Sequence, residues 1–176
     1  MDRQAQRLAH GDPAAFAELY DACADRVHHY LVALVGSRAD ADDVLQETFV
    51  RLARMRKSLV AVDNRVAYVF AIARNEAIRL VQRQIRENQV RVLASASALF
   101  CEAPVEDIPS LETAEWIAAA LARLSDELRE IVELKIYADL TFREISAVTG
   151  LPQGTVATRY RSALEKMRNQ MVKEQE

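Results

Sequence analysis

Glycine and proline are scarce, four of each in 176 residues, and no segment of any length alternates apolar and polar residues as a half-buried strand would. The expected fold is therefore all-α. Cysteine is scarcer still. Cys23 and Cys101 stand alone, with no C-x-x-C pair and no histidine at ligand spacing, so neither a disulfide framework nor a zinc site is expected. His28 and His29 are adjacent and cannot share a helix face, so one is expected in the core and one at the surface. The chain does not open with a basic run followed by an apolar one, and no stretch approaches the length of a membrane span. The expectation is a reducing, cytoplasmic compartment with no membrane insertion. Nothing has the form of a nucleophile–base pair, a glycine-rich phosphate loop or a metal cluster, so the chain reads as a non-enzyme with no cofactor and no metal.

About half of the residues are apolar, enough to bury one or two small cores. The formal net charge of −3 argues against a chain coated in nucleic-acid-binding charge, but the charge is unevenly spread. From Arg65 to Leu93 six arginines face two glutamates, whereas from Ala94 to Leu140 ten acids face three bases. Two basic segments separated by an acidic one suggest two contacts with a polyanion.

The most informative stretch is Thr141–Met171, TFREISAVTGLPQGTVATRYRSALEKMRNQM. Thr141 and Glu144 have the T-x-x-E spacing of a capping box, and Phe142, Ile145 and Val148 share one side of the short helix that follows. Gly150 ends it, Pro152 cannot continue it, and Gly154 and Thr155 offer a new start. In the second helix Val156, Tyr160, Ala163, Leu164 and Met167 form the apolar stripe. The other face carries Thr158, Arg159, Arg161, Ser162 and Glu165. Two helices joined by a tight glycine turn, the second basic outside, describe a helix-turn-helix. A plain helical hairpin with a solvated face is the alternative. Four bases against Glu165 alone across Gln153–Arg168, in an acidic chain, favour DNA.

Upstream, Asp12-Pro13 opens a helix whose inner stripe is Phe16, Leu19, Tyr20, Cys23, Val27, Tyr30, Leu31 and Leu34, closed by Gly36. Ser37 caps the next, with Val44, Leu45, Phe49, Leu52 and Met55 inside. Its acids at the start and bases at the end complement the helix dipole. That leaves Asp43, Gln46, Glu47 and Val50 as an exposed mixed face open to a partner. After a short connection, Ser58–Asn64, a long helix runs from Arg65 to Asn88. Arg65, Arg79, Arg83 and Arg86 fall in one sector of it, with Arg74 opposite, and a row of arginines suits the spacing of phosphates. Residues 90–110 lose periodicity and read as a linker. Beyond it, helices with Trp116, Ile117, Ala120, Leu121 and Leu124, then Leu128, Ile131, Val132, Leu134 and Ile136, are expected to support the helix-turn-helix.

Three runs carry a resemblance: DADDVLQETFVRL at 40–52, AYVFAIARNEAI at 67–78 and LTFREISAVTGLPQGTVATRYRSALEKMR at 140–168. In this order, across a linker, they are similar to the extracytoplasmic-function (ECF) group of sigma factors of bacterial RNA polymerase, over essentially the whole chain. The resemblance implies two small helical domains, a sigma region 2-like bundle at 1–89 and a region 4-like helix-turn-helix domain at 111–176, joined by the linker at 90–110. It implies docking on the clamp helices of the largest polymerase subunit through Asp43, Gln46, Glu47 and Val50. The flap of the second-largest subunit is a further implied contact. It also implies capture of unpaired promoter bases by the Ser58–Arg65 loop and the helix after it, and major-groove contacts by Arg159, Arg161 and Thr158. An anti-sigma protein is an implied partner. The sequence departs from the family pattern with Tyr68 in place of tryptophan, Arg79 in place of aspartate, Gln82 in place of arginine and Ala157 in place of lysine.

The leading expectation is thus a dissociable promoter-specificity subunit. The alternative is a sigma-like competitor or adaptor that binds polymerase or a regulator without opening promoters. Only the first needs the Ser58–Arg65 loop and the arginine edge.

Overall fold

The computed structural model describes residues 3–92, 117 and 119–173. All of its elements are helical, with no strand among the described residues. The chain divides into two compact units, Met1–Glu102 and Ala103–Glu176.

The N-terminal unit begins with a helix that the sequence reading did not anticipate, α1 (Arg3–His10). Gly11, at φ +79°, turns the chain out of it: the Gly11 N–H bonds the Leu8 carbonyl at 2.9 Å and the Asp12 N–H bonds the Arg7 carbonyl at 3.0 Å. This is a Schellman exit. Asp12 then caps α2 (Pro13–Val35), its Oδ1 accepting from the Ala14 N–H at 3.0 Å, and Pro13 has no N–H to satisfy. Gly36 closes α2 in the left-handed conformation, and Ser37 caps α3 (Arg38–Arg54) through the Asp40 N–H.

The connection after α3 is not all irregular. Arg56–Ala61 forms a 3-10 helix, and Asn64 caps the long helix α4 (Arg65–Val92) by accepting from the Ala67 N–H. Helices α2, α3 and α4 pack on one another around Val27, Leu31, Leu52, Val69, Phe70 and Ala73, all fully buried or nearly so. Tyr30 meets Phe70 edge-on at 5.6 Å. Each such large apolar side chain contributes roughly 1.5–3 kcal/mol. Buried Thr48 returns its hydroxyl proton to the Val44 carbonyl at 2.7 Å, so no polar group is stranded there.

Several inward assignments are corrected. Tyr20 is 45% exposed and Met55 39% exposed, while His28 and His29 are both half-buried. Leu34 and Phe16 are also only half-buried.

In the C-terminal unit, residues 119–122 are helical, and Trp116 with the expected start of that helix lies outside the described residues. Most of the stretch read as a linker, with Cys101, lies outside them too. Next come α5 (Asp126–Ile136), α6 (Phe142–Thr149) and α7 (Gln153–Lys173). Arg129 reaches back from α5 to the carbonyls of Leu121 and Ala122, at 3.0 and 2.9 Å, and satisfies the end of the preceding helix. The core here is Leu121, Leu124, Leu128, Val132 and Ala163, with Ile117, Tyr137, Tyr160 and Met167 packed against it. Ile136 and Leu164, read as inward, are half or nearly half exposed.

Candidate nucleic-acid interface and docking groove

Local chemistry builds the helix-turn-helix. The Thr141 hydroxyl accepts from the Glu144 N–H while the Glu144 carboxylate accepts from the Thr141 N–H at 2.7 Å, completing the capping box. Gly150, at φ +75°, ends α6, its N–H bonding the Ser146 carbonyl at 2.9 Å. The Pro152 carbonyl accepts from Thr155 and Val156, so α7 starts at Gln153, slightly before Gly154. Val156 and Ala163 are buried, and Tyr160 stacks against Phe142 of α6 at 5.5 Å, which fixes α7 against α6.

With that side locked, α7 exposes Gly154, Thr158, Arg161, Glu165 and Arg168 along one line, with half-buried Ala157 and Ser162 beside it and Leu164, Lys166 and Asn169 also exposed. Its first turn, Gly154, Ala157 and Thr158, carries no long side chain, whereas Arg161, Glu165 and Arg168 follow further along. Thr158 donates its hydroxyl to the Gly154 carbonyl at 2.9 Å, and the Arg161 Nε donates to the Ala157 carbonyl at 3.3 Å. Arg159 sits differently. Its side chain is 29% exposed and its Nη2 lies 2.9 Å from Oε2 of Glu127 in the first turn of α5.

On α4 the expected arginine row is more interleaved with acid than the sequence suggested. Arg79 pairs with Glu76 at 2.7 Å, and the same carboxylate oxygen takes Arg51 from α3. Arg83 lies 3.9 Å from Glu87, the Arg86 Nε donates to the Gln82 carbonyl at 3.2 Å, and Arg65 is half-buried beside the Val62 carbonyl. Arg79, Arg83 and Arg86 still reach solvent.

On α3, Asp43, Gln46, Glu47 and Val50 are all exposed and fall at i, i+3, i+4 and i+7, one continuous face. Sequence reasoning missed what lies beside it. A groove of about 700 Å³ runs between α2 and α3, walled by Phe16, Tyr20, Leu45, Phe49 and Val50, with Gln46 and Asp42 at its edge. The rings of Tyr20 and Phe49 meet at 4.8 Å. The available signal was an apolar stripe on α2 too wide for one packing partner, with Leu19 and Tyr20 adjacent. Asp42 also lies 2.9 Å from Nε2 of His28. No group of acids, histidines and cysteines that could hold a metal occurs among the described residues, and no helix among them is long and apolar enough to cross a membrane.

The family model for sigma-70 region 2 matches residues 19–87, and that for sigma-70 region 4 matches 114–167. The ECF RNA polymerase sigma factor RpoE of Cereibacter sphaeroides is 32% identical over 166 residues, covering 92% of this chain and 89% of that protein. SigW of Bacillus subtilis, another ECF sigma factor, is 24% identical over 178 residues, covering 96% of this chain and 95% of its own. Among solved structures, the sigma factor RpoE of Bartonella quintana in complex with the anti-sigma factor NepR has a similar fold. Its TM-score is 0.75 at 21% identity, over 88% of this chain and 94% of that one. CnrH in complex with the cytosolic domain of CnrY gives a TM-score of 0.65 at 23% identity, over 96% and 94%.

Proposed function

Because the chain belongs to the extracytoplasmic-function sigma factors of RNA polymerase, and is thus a promoter-specific transcription initiation factor, we propose which of its surfaces do that work. The N-terminal unit docks on the clamp helices of the largest polymerase subunit through Asp43, Gln46, Glu47 and Val50. The neighbouring groove offers an apolar seat with an acidic edge, suited to a basic amphipathic helix. The Ser58–Arg65 loop captures unpaired promoter bases, with Arg65, Arg79, Arg83 and Arg86 along the phosphates; unstacked bases expose the edges and faces such a loop can hold.

The C-terminal unit reads the upstream promoter element in duplex form. Thr158, Arg161 and Ser162 face the major groove, and Arg159 joins them by exchanging Glu127 for a phosphate. An arginine that reaches a guanine edge there contributes roughly 1–3 kcal/mol of discrimination. The observation that carries this reading is the exposed line Thr158–Arg161 on a helix whose opposite side is fixed in the core. The flap of the second-largest subunit is the partner proposed for this unit. An anti-sigma protein is proposed to hold the free factor, supported by the NepR complex of the Bartonella RpoE. The factor acts in the cytoplasm, beside polymerase, with no catalytic step of its own.

The test is in vitro transcription with bacterial core polymerase on a promoter library, wild type beside Arg159→Ala/Arg161→Ala. Wild type is expected to direct new start sites that the double variant loses. Binding to core polymerase with no initiation, even on pre-melted templates, would overturn the reading in favour of a competitor or adaptor.

A further inference from the structure

Helix α1 precedes the residues that match sigma region 2, yet it packs directly on the 3-10 helix Arg56–Ala61. That 3-10 segment has little to hold it in place. Of its six residues only Leu59 is buried, and Arg56, Lys57, Ser58, Val60 and Ala61 are exposed. Its hydrogen bonds are of the short-range kind with poorer geometry, such as Ser58 N–H to the Met55 carbonyl at 2.9 Å. Its placement therefore depends on what Leu59 rests against.

Helix α1, packed on this segment, buries Ala5 and Leu8, one turn apart, and turns Arg3, Gln6 and His10 to solvent. Eight residues are too few for a helix to persist alone, so α1 is ordered by its docking and by its corner with α2. The corner is closely specified. Asp12 caps α2 with Oδ1 and accepts from the Arg7 Nε with Oδ2 at 2.7 Å, while Arg7 Nη1 reaches Glu18 of α2 at 2.9 Å. The Arg7 guanidinium accordingly holds the Asp12 carboxyl below the usual carboxylate range. The side chain of Arg56 closes over Gly11, so near that a Cβ there would lie 3.4 Å from its Nε.

We propose that α1 is a positioning element for the promoter-strand loop, with Leu8 and Leu59 as its positioning residues. The rigid α2 frame sets α1 through Arg7, Asp12 and Glu18. Then α1 sets Leu59, and Leu59 sets the Ser58–Arg65 loop. This rests on the reading of that loop given above.

The experiment uses the full chain with core polymerase and a single-stranded oligonucleotide of the non-template promoter strand, from the promoter found by transcription, with base-substituted versions beside it. Three quantities are read: discrimination between the oligonucleotides, affinity for core polymerase, and affinity for the duplex upstream element. Leu8→Ala is expected to lower discrimination roughly tenfold, about the worth of one captured base, with both affinities within about twofold. Leu8→Met, which conserves volume, is expected to restore most of it. Unchanged discrimination in Leu8→Ala would overturn the proposal. So would a loss of core affinity in the same proportion, since that marks a general destabilisation. If Leu8→Ala does not fold, Arg7→Ala leaves the buried face intact, and its expected loss of discrimination at unchanged core affinity is decided the same way. The exposed loop variant Val60→Ala/Asp63→Ala separates the two layers. If it too leaves discrimination intact, the loop reading itself fails; if it lowers discrimination while Leu8→Ala does not, only the role of α1 fails.

Discussion

Arg159 of α7 and Glu127 of α5 form an ion pair of 2.9 Å that ties α7 to its support. The basic face of α7 therefore carries its own counter-charge. A phosphate approaching Arg159 must displace a carboxylate that is already seated.

Removing that carboxylate should strengthen DNA binding. Glu127→Gln is expected to raise affinity for the upstream-element duplex a few-fold, since a surface pair is worth about 0.2–1 kcal/mol. In Arg159→Ala the fall of affinity with salt should flatten by about one unit of logarithmic slope, as one phosphate fewer is neutralised. Fluorescence anisotropy across a salt series reads both. An unchanged slope in Arg159→Ala would mean that Arg159 makes no phosphate contact.

Glu76 is a different kind of acid, with a side chain only 12% exposed and an arginine on each flank, Arg51 and Arg79. Glu76→Gln leaves Arg51 without its charged acceptor and should cost about 1–3 kcal/mol. A lower urea midpoint at constant slope would report it.

The two glycines around the turn should answer oppositely to alanine. At Gly150 a Cβ meets nothing within 4 Å, but φ is +75°, so Gly150→Ala should cost about 1–2 kcal/mol through the backbone alone. At Gly154, inside α7 and equally uncrowded, alanine should stabilise by about 0.4–1 kcal/mol. Thermal unfolding of the two variants checks the signs. Because Gly154 lies on the exposed stripe, its variant should also weaken duplex binding.

Burial pushes the Cys23 thiol up to about 11 from its ordinary 9.0, and its Sγ donates to the Leu19 carbonyl. The folded state thus favours the protonated thiol. The associated stability is complete below pH 9.0 and is lost as pH rises through about 11. In a Cys101→Ser background, Cys23 should resist thiol reagents near neutral pH until urea unfolds the chain. Replacing it with alanine should flatten the alkaline loss of stability.

The helix-turn-helix was legible because its signals are local: a hydroxyl and a carboxylate three residues apart, a glycine, a proline and a regular apolar stripe. The four exposed residues of α3 were legible for the same reason. The Arg159–Glu127 and Arg51–Glu76 pairs were not, because each joins residues far apart in sequence that only packing brings together. Helix α1 escaped notice because eight residues with two buried anchors carry too little periodicity to stand out. Tyr20 was read as core because periodicity identifies apolar faces and is silent on what covers them; here the face forms a groove wall.

The first turn of the exposed stripe on α7 sets a limit on distance. If this turn enters a groove, no long arm from Gly154, Ala157 or Thr158 holds the backbone away, and that end of the helix axis can sink closer to the floor than an arginine-tipped turn would, with Arg161 reaching beyond it. At that depth a thymine methyl is an obstacle or a contact according to its register, and sequence would be sorted partly by clearance, before any hydrogen bond is made.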